Sequence, residues 1–297
     1  MSYSGKIKKA VIAAAGYGTR FLPATKVVPK EMLPIIDKPI IQYLAEEAAA
    51  SGITEIIIVV RSTGSLIERH FAARDFDTAV ALDERKRERL KSIEKIKNSA
   101  ALTFVEQDPS LPYGNASPLI SARRYLNDGE PFVYMFGDDL TLADKPVTGQ
   151  LIEFYEKHKP DAILAVQEVS EEEVYRYGTV RYQEKSAIPY QIEMSVEKAP
   201  KGQAPSNMAQ FGRFVFTGAV LDRAEKKETG KDGELWVTDI LNSLAKEGKK
   251  VVALPIDGQW LTTGDPLRFI QTTLAFAAKD PELKEPVANF LKKVGFE

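Results

Sequence analysis

Cysteine is absent from all 297 residues, and histidine occurs only twice, at 70 and 158. Without cysteine there is no disulfide, no thiolate metal site and no cysteine nucleophile, and the composition suits a reducing compartment. His70 and His158 stand in charged, helix-like stretches, which reads as surface or packing and lends little to histidine-based catalysis. Excess charge is missing too. Forty Lys and Arg face 42 Asp and Glu, for a net charge of -2, so no whole-molecule field gathers nucleic acid or an anionic membrane. No apolar run approaches the ~18 residues of a membrane span. The start "KIKKAVIAAAG" mimics a signal peptide, but its apolar run is shorter than an h-region of ~7–15 residues. These absences predict a cytoplasmic protein without nucleic-acid or membrane partners, in which any phosphate ligand is held locally.

What the chain does contain is an alternation of strands and helices. "KKAVIAAA" reads as a buried strand, "KPIIQYLAEEAAASG" as a helix with Pro39 in its first turn and Gly52 as its stop, and "ITEIIIVV" as a second buried strand. The pattern repeats as a helix near 64–73, a strand "ALTFVEQ", a helix near 117–126, a strand "PFVYMFG", a helix near 148–158 and a strand "DAILAVQEV". Continuous apolar strands separated by helices predict an α/β fold, a mostly parallel sheet with helices on both faces. The run "DERKRERLKSIEKIK" interleaves both signs at helical spacing, as a solvated or inter-subunit helix does. From Tyr175 the texture changes: "YGTVRYQ", "YQIEMSVEKA" and "QFGRFVFTG" read as short antiparallel strands of an inserted lobe. Two helices then return to the body, and an amphipathic one follows near 284–293. The expectation is one domain: a core over about 1–170, the inserted lobe over about 171–217, and a return over about 218–297.

The stretch "AVIAAAGYGTRFLPATKVVPKEMLP" carries the first chemical signal. Gly16 and Gly18 follow a strand as a phosphate turn would, yet the P-loop sequence is absent and Phe21 stands where a dinucleotide fingerprint needs its third glycine. Prolines at 23, 29 and 34 keep a helix from starting behind the turn. Thr19, Arg20, Lys26 and Lys30 crowd that stiffened loop, so backbone N–H groups and mobile cations replace a helix dipole. Such a loop can wrap a triphosphate.

The longer stretch "AAGYGTRFLPATKVVPKEMLPIIDKPIIQY" resembles the signature of sugar-phosphate nucleotidyltransferases, and of their bacterial UTP–glucose-1-phosphate uridylyltransferase branch in particular. The likeness continues through "GITEIIIVV", "HFAARDFDT", "YRYGTV", "VEKAPKGQAPSNMAQFGRFVF" and "GELWVTDIL". It implies a Rossmann-like core with a sugar-binding lobe, Mg²⁺ as cofactor, UTP and glucose 1-phosphate as substrates, and assembly as a dimer or tetramer. By the same resemblance the backbone of Ala14, Ala15, Gly16 and Gly18, with Thr19 and Arg20, cradles the nucleotide phosphates. Lys30 neutralises charge at the reacting phosphate, and Asp138 of "GDD", at the end of an apolar strand, holds the metal. Gln107 and Gly114 match the uracil contacts; Gly178, Glu197 and Lys198 match the sugar-phosphate contacts. Asp239 of "VTD" matches the pattern too, although a helix-capping role explains it equally well.

Two departures stand out. "NAS" follows Gly114 where the uridylyltransferases commonly have a glycine and His-Ala, and "PSLPY" replaces a glycine-richer loop, which leaves a thymidylyl- or other nucleotidyltransferase open. "WLTTGDP" puts Thr262 where the family's Asp-x-Gly supplies a second metal carboxylate, with Asp139 and Asp265 as possible substitutes. That leaves open a nucleotide-sugar-binding protein with weak turnover. A hydride-transfer enzyme is a remote fourth reading.

Overall fold

Eight residues without a polar side-chain tip, Ala10 to Tyr17 save its hydroxyl, take the chain from the centre of a sheet to its edge. The computed structural model describes residues 5–72 and 83–295, so 73–78 of the "HFAARDFDT" stretch lie outside the described residues. The first half consists of β1 (Lys9–Ala14), β2 (Pro34–Ile35), β3 (Lys38–Pro39), α1 (Ile40–Ala50), β4 (Glu55–Val60), α2 (Leu66–Phe71), α3 (Glu84–Ser99), β5 (Ala101–Glu106), α4 (Ser117–Ser121) and β6 (Phe132–Phe136). Next come β7 (Asp139–Leu142), α5 (Val147–His158), β8 (Ala162–Glu168), β9 (Thr179–Tyr182), β10 (Ile192–Val196) and β11 (Met208–Phe216). The chain closes with α6 (Gly218–Ala224), α7 (Val237–Lys246), β12 (Val251–Pro255), β13 (Gln259–Thr262), α8 (Pro266–Ala277) and α9 (Lys284–Lys293).

A nine-stranded sheet runs β10-β9-β11-β6-β1-β4-β5, with β8 along the other edge of β11 and β12 beyond it. β1, β4, β5 and β6 are mutually parallel, and the remaining pairings leave only β10 and β11 reversed. Side chains alternate across the pleat. Ile12, Ile58 and Met135 face a core covered by α1 and α5, while Val11, Ile57 and Tyr134 face one covered by α4, α6 and α7.

Two registers position the site. Ala14 lies opposite Val60, which lies opposite Glu106, so β1, β4 and β5 end level and deliver their loops to one carboxyl edge. β6 and β9 share one edge of β11 end to end, with Arg213 opposite Met135 and Ala209 opposite Thr179. The start of β9 and the end of β10 therefore lie level with the chain leaving β6 at Asp138.

The antiparallel strands read as an inserted lobe extend this same sheet. β11 is its clearest difference from expectation: nine residues long, it has β6 and β8 on its two edges. Arg213 interrupts the apolar pattern that marks a central strand, yet it is 0% exposed, donating to Glu47 at 3.0 and 2.7 Å and to the Asp139 carbonyl at 2.7 Å. Burial alone would raise the Glu47 pKa, but Arg213 and Thr148 hold it below the usual carboxylate range. The helix expected near 117–126 is broken into α4 and a 3-10 turn at Arg123–Tyr125.

Candidate active site

Behind the glycine turn the chain forms three 3-10 turns, Thr19–Phe21, Ala24–Lys26 and Lys30–Met32, in place of a helix. Gly18, at φ 64, starts the first; its carbonyl accepts Phe21 N at 2.9 Å and Thr25 Oγ1 at 2.7 Å. These turns project Arg20 and Lys30 in different directions. Lys30 Nζ reaches Asp138 Oδ2 at 2.6 Å, across 108 residues of sequence. Arg20 Nη1 donates to the Gly264 carbonyl at 3.1 Å, joining the turn to the loop after β13.

A cavity of about 190 Å³ brings together Arg20, Asp138, Gly178, Glu197, Lys198 and Thr262. It adjoins a larger one of about 660 Å³ that shares Arg20, Arg176, Lys198 and Thr262 and adds Asp265 to the walls. Lys30 belongs to the cluster through its bond to Asp138. Ala14, Ala15, Gly16, Gly18, Thr19, Gln107 and Gly114 lie outside the smaller cavity. Ala14 ends β1 and Gln107 follows β5, with its amide on the Val60 carbonyl at 2.8 Å, so both stand on the carboxyl edge.

Gly114 is glycine for two reasons. Its φ is 142, a region open to little else, and a Cβ there would run into the backbone of Leu235. This approach stitches the two segments: Leu235 N donates to Tyr113 O at 2.8 Å, Ala116 N to Leu235 O at 3.0 Å, and Val237 N to Asn115 Oδ1 at 2.8 Å. The Asn of "NAS" thus ties the loop after β5 to the start of α7. At Gly178 a Cβ would occupy the place of the Gln210 amide, which bonds to Thr238 Oγ1 and lies 3.5 Å from Glu197 Oε2. Thr238 donates to Glu197 at 2.6 Å, so that carboxylate is held in place by the protein itself. Lys198 Nζ lies 4.5 Å from the centre of the Trp236 ring.

The electrostatics separate the four central groups. Burial disfavours charge on Lys30, but Asp138 and then Glu31 override it and hold the ammonium above its usual range. Burial also opposes ionisation of Asp138, and Lys30 and then Arg20 hold it below its ordinary value. Asp139 goes the other way, pushed up to about 6 by burial and by the Asp138 charge. Its carboxylate accepts Trp260 Nε1 and Gly212 N, both at 2.8 Å. Asp265 is occupied as well, capping α8 through Arg268 N at 3.1 Å and meeting Arg176 at 3.0 Å. Both carboxylates are already held by protein partners.

Among the described residues no three His, Cys, Asp or Glu side chains converge on a common point. A Cβ placed on Gly264 would lie 3.4 Å from both Asp138 Oδ2 and Thr262 Oγ1 and 3.5 Å from Arg20 Nη1, so the carboxylate, the hydroxyl and a guanidinium face one spot. The groups there able to ligate a metal form an all-oxygen set. It fits a hard divalent cation whose shell is completed by substrate phosphates and water.

Glu31, inside the quoted motif but given no role from sequence, is 1% exposed, and neither carboxylate oxygen has a hydrogen-bond partner. Burial raises its pKa to about 7 against the opposing pull of Lys30, 4.0 Å away. The folded state therefore binds its proton more tightly than the unfolded chain, so this group's contribution to stability falls as pH rises between about 4.5 and 7. Glu31→Gln removes the titration. Relative to the parent it is expected to gain on the order of 3 kcal/mol between pH 4.5 and pH 8, read by denaturant unfolding at both. A constant difference would assign Glu31 an ordinary pKa. Sequence reasoning also passed over Arg61, whose guanidinium bonds the Ala15 carbonyl and lies 3.5 Å from the Tyr17 ring centre, and Thr238 beside the noted Asp239. Asp239 itself sits in the first turn of α7 without a side-chain cap bond.

A family model described as nucleotidyl transferase matches residues 9–279. The UTP–glucose-1-phosphate uridylyltransferase of Bacillus subtilis (strain 168) is 42% identical over 290 residues, 97% of this chain and 97% of its own. That of Staphylococcus haemolyticus (strain JCSC1435) is 38% identical over 291 residues, 98% of this chain and 99% of its own. A UDP-glucose pyrophosphorylase solved in complex with UDP-glucose superposes with a TM-score of 0.82 at 33% identity, covering 92% of this chain and 100% of that one. A UTP-bound UGPase from Acinetobacter baumannii gives 0.80 at 28% identity, covering 96% and 98%.

Proposed function

As the chain belongs to the nucleotidyl transferase family, we propose that it is a UTP–glucose-1-phosphate uridylyltransferase that works through Arg20, Lys30 and Asp138. It makes UDP-glucose and pyrophosphate. A phosphate oxygen of glucose 1-phosphate bonds to the α-phosphorus of UTP, the bond from that phosphorus to the β-phosphate bridge breaks, and pyrophosphate leaves with those electrons. No proton has to move, because a phosphate monoester with a second pKa of roughly 6 is already mostly a dianion.

The barrier is repulsion between anions. Two unit charges ~4 Å apart at an effective dielectric of ~20 repel by about 4 kcal/mol, so positioning and neutralisation carry the catalysis. The observation that carries the reading is the Lys30–Asp138 pair at 2.6 Å, set between the glycine turn and the cavity that holds Glu197 and Lys198. Asp138, with the substrate phosphates, would hold Mg²⁺, Thr262 would stand beside it as a neutral neighbour, and the ion would supply further charge neutralisation. The backbone from Ala14 to Gly18, with Thr19 and Arg20, takes the triphosphate; Gln107 and Gly114 take the uracil. Gly178 leaves room for the sugar, Glu197 accepts its hydroxyls and Lys198 meets its phosphate.

Exposed Leu267 and Ile270 on α8 and Phe290 on α9 support self-association as a dimer or tetramer. No helix among the described residues is long and apolar enough to cross a membrane. The cysteine-free composition suits the cytoplasm.

A pyrophosphate-release panel crossing nucleoside triphosphates with sugar 1-phosphates, with and without Mg²⁺, tests the reading. UTP with glucose 1-phosphate is expected to be fastest and metal-dependent. Preference for thymidine triphosphate would move the protein to the thymidylyl branch, and tight UDP-glucose binding without turnover would make it a binding protein. In the same panel Gln107→Ala is expected to erode the preference for UTP by about 10-fold or more while leaving the sugar preference alone. Equal losses toward both substrates would make Gln107 a structural residue.

A further inference from the structure

Arg176 stands immediately before Tyr177 and Gly178 and lines both cavities, together with Arg20, Lys198 and Thr262. Each cation on these walls has a different restraint. Arg20 is held by the Gly264 carbonyl at 3.1 Å. Lys198 lies 3.6 Å from Glu197 and against the Trp236 ring. Arg176 donates through Nη2 to Asp265 at 3.0 Å, and its side chain is 36% exposed.

The partner is what makes Arg176 distinctive. Asp265 also accepts Arg268 N at 3.1 Å as the cap of α8 and lies 3.6 Å from the Arg268 guanidinium. If Arg176 turns away, the carboxylate keeps both, so no charge is left buried and unpaired. A pair this open to solvent on the arginine side is weakly held. A phosphate monoester offers close to twice the charge of a carboxylate, with three acceptor oxygens that suit the planar guanidinium fork. Lys198 alone carries one positive charge toward a dianion, and Arg20 and Lys30 serve the triphosphate.

Building on the uridylyltransferase reading, we propose that Arg176 exchanges Asp265 for the phosphate of the incoming sugar 1-phosphate and binds it together with Lys198. The same guanidinium contacts the sugar-linked phosphate of UDP-glucose in the reverse direction, and not pyrophosphate.

Steady-state kinetics in both directions test this. Arg176→Ala is expected to raise KM for glucose 1-phosphate, and for UDP-glucose in reverse, by about 10-fold or more, with KM for UTP and pyrophosphate within about 2-fold of the parent. Arg176→Lys should recover part of the loss. Asp265→Asn, which retains a capping side chain, should leave KM for glucose 1-phosphate no higher than in the parent. An unchanged KM in Arg176→Ala overturns the proposal, as does a rise confined to pyrophosphate, or a rise in Asp265→Asn equal to that in Arg176→Ala. A parent protein that turns over no UTP with glucose 1-phosphate defeats the underlying reading separately. Calorimetric titration of glucose 1-phosphate into parent and Arg176→Ala then decides the assignment: a loss of about 10-fold in affinity sustains it, and equal affinity overturns it.

Discussion

Lys30→Ala is expected to lower kcat by about 10²- to 10³-fold with a smaller effect on UTP binding, the loss seen when one preorganised charge donor is removed. The ammonium already sits 2.6 Å from Asp138 and 4.0 Å from Glu31, so its position is set before substrate arrives and little reorganisation accompanies the reaction. Arginine is a poor replacement. A Cβ on Gly16 would lie 3.2 Å from Lys30 Cε, which leaves the phosphate turn no slack for a wider head group. Arg20→Ala, whose tether is a carbonyl and not a carboxylate, is expected to give a loss of about 10²-fold. The rate must be normalised to folded protein, because a lysine used only for folding lowers the melting temperature and spares the rate. Near-parent kcat for both variants would remove the catalytic assignment.

Asp138→Asn is expected to cost about 10³-fold or more in turnover, since it removes the carboxylate proposed to hold the metal and the partner of Lys30 together. Thr262→Asp works in the opposite sense. The hydroxyl is a neutral and weaker ligand than a carboxylate, so adding one beside Asp138 should move the Mg²⁺ titration of initial rate to lower concentration by about 10-fold or more. An unchanged titration would mean that the metal shell does not extend to position 262. Restored metal binding without turnover would favour the binding-protein reading.

Much of the site could be read along the chain because its chemistry is local in sequence. Gly16, Gly18, Arg20 and Lys30 fall within fifteen residues, and prolines announced a loop that stays non-helical. Parallel strands were legible for the same reason, as unbroken apolar runs bounded by helices. What escaped is non-local. The short strands β7 and β13 pair across more than a hundred residues and set Thr262 opposite Asp139, a relation no spacing reveals. Arg213 disguised the inner half of β11, because a charged residue reads as exposed until its partner, 166 residues away, is known. Glu31 carried no signal of its own in the sequence. Only its packing against Gly137, where a Cβ would lie 2.9 Å from Glu31 Cγ, marks it as interior.

On the proposed reading β11 gives the two substrates a common ruler. Its residue Gly212 donates to Asp139, beside Asp138, and Gln210, two residues earlier, supports Gly178 and Glu197. Marks on a strand are ~3.4 Å apart and alternate between faces. Reacting atoms must approach to ~3–3.5 Å, so the finest adjustment this ruler permits is as coarse as the whole gap to be closed. The register of β11 against β8 shifts between Gln210 and Phe214, so the offset between the proposed nucleotide and sugar sides is set at that irregularity, and evolution can change the side chains around it without moving the marks.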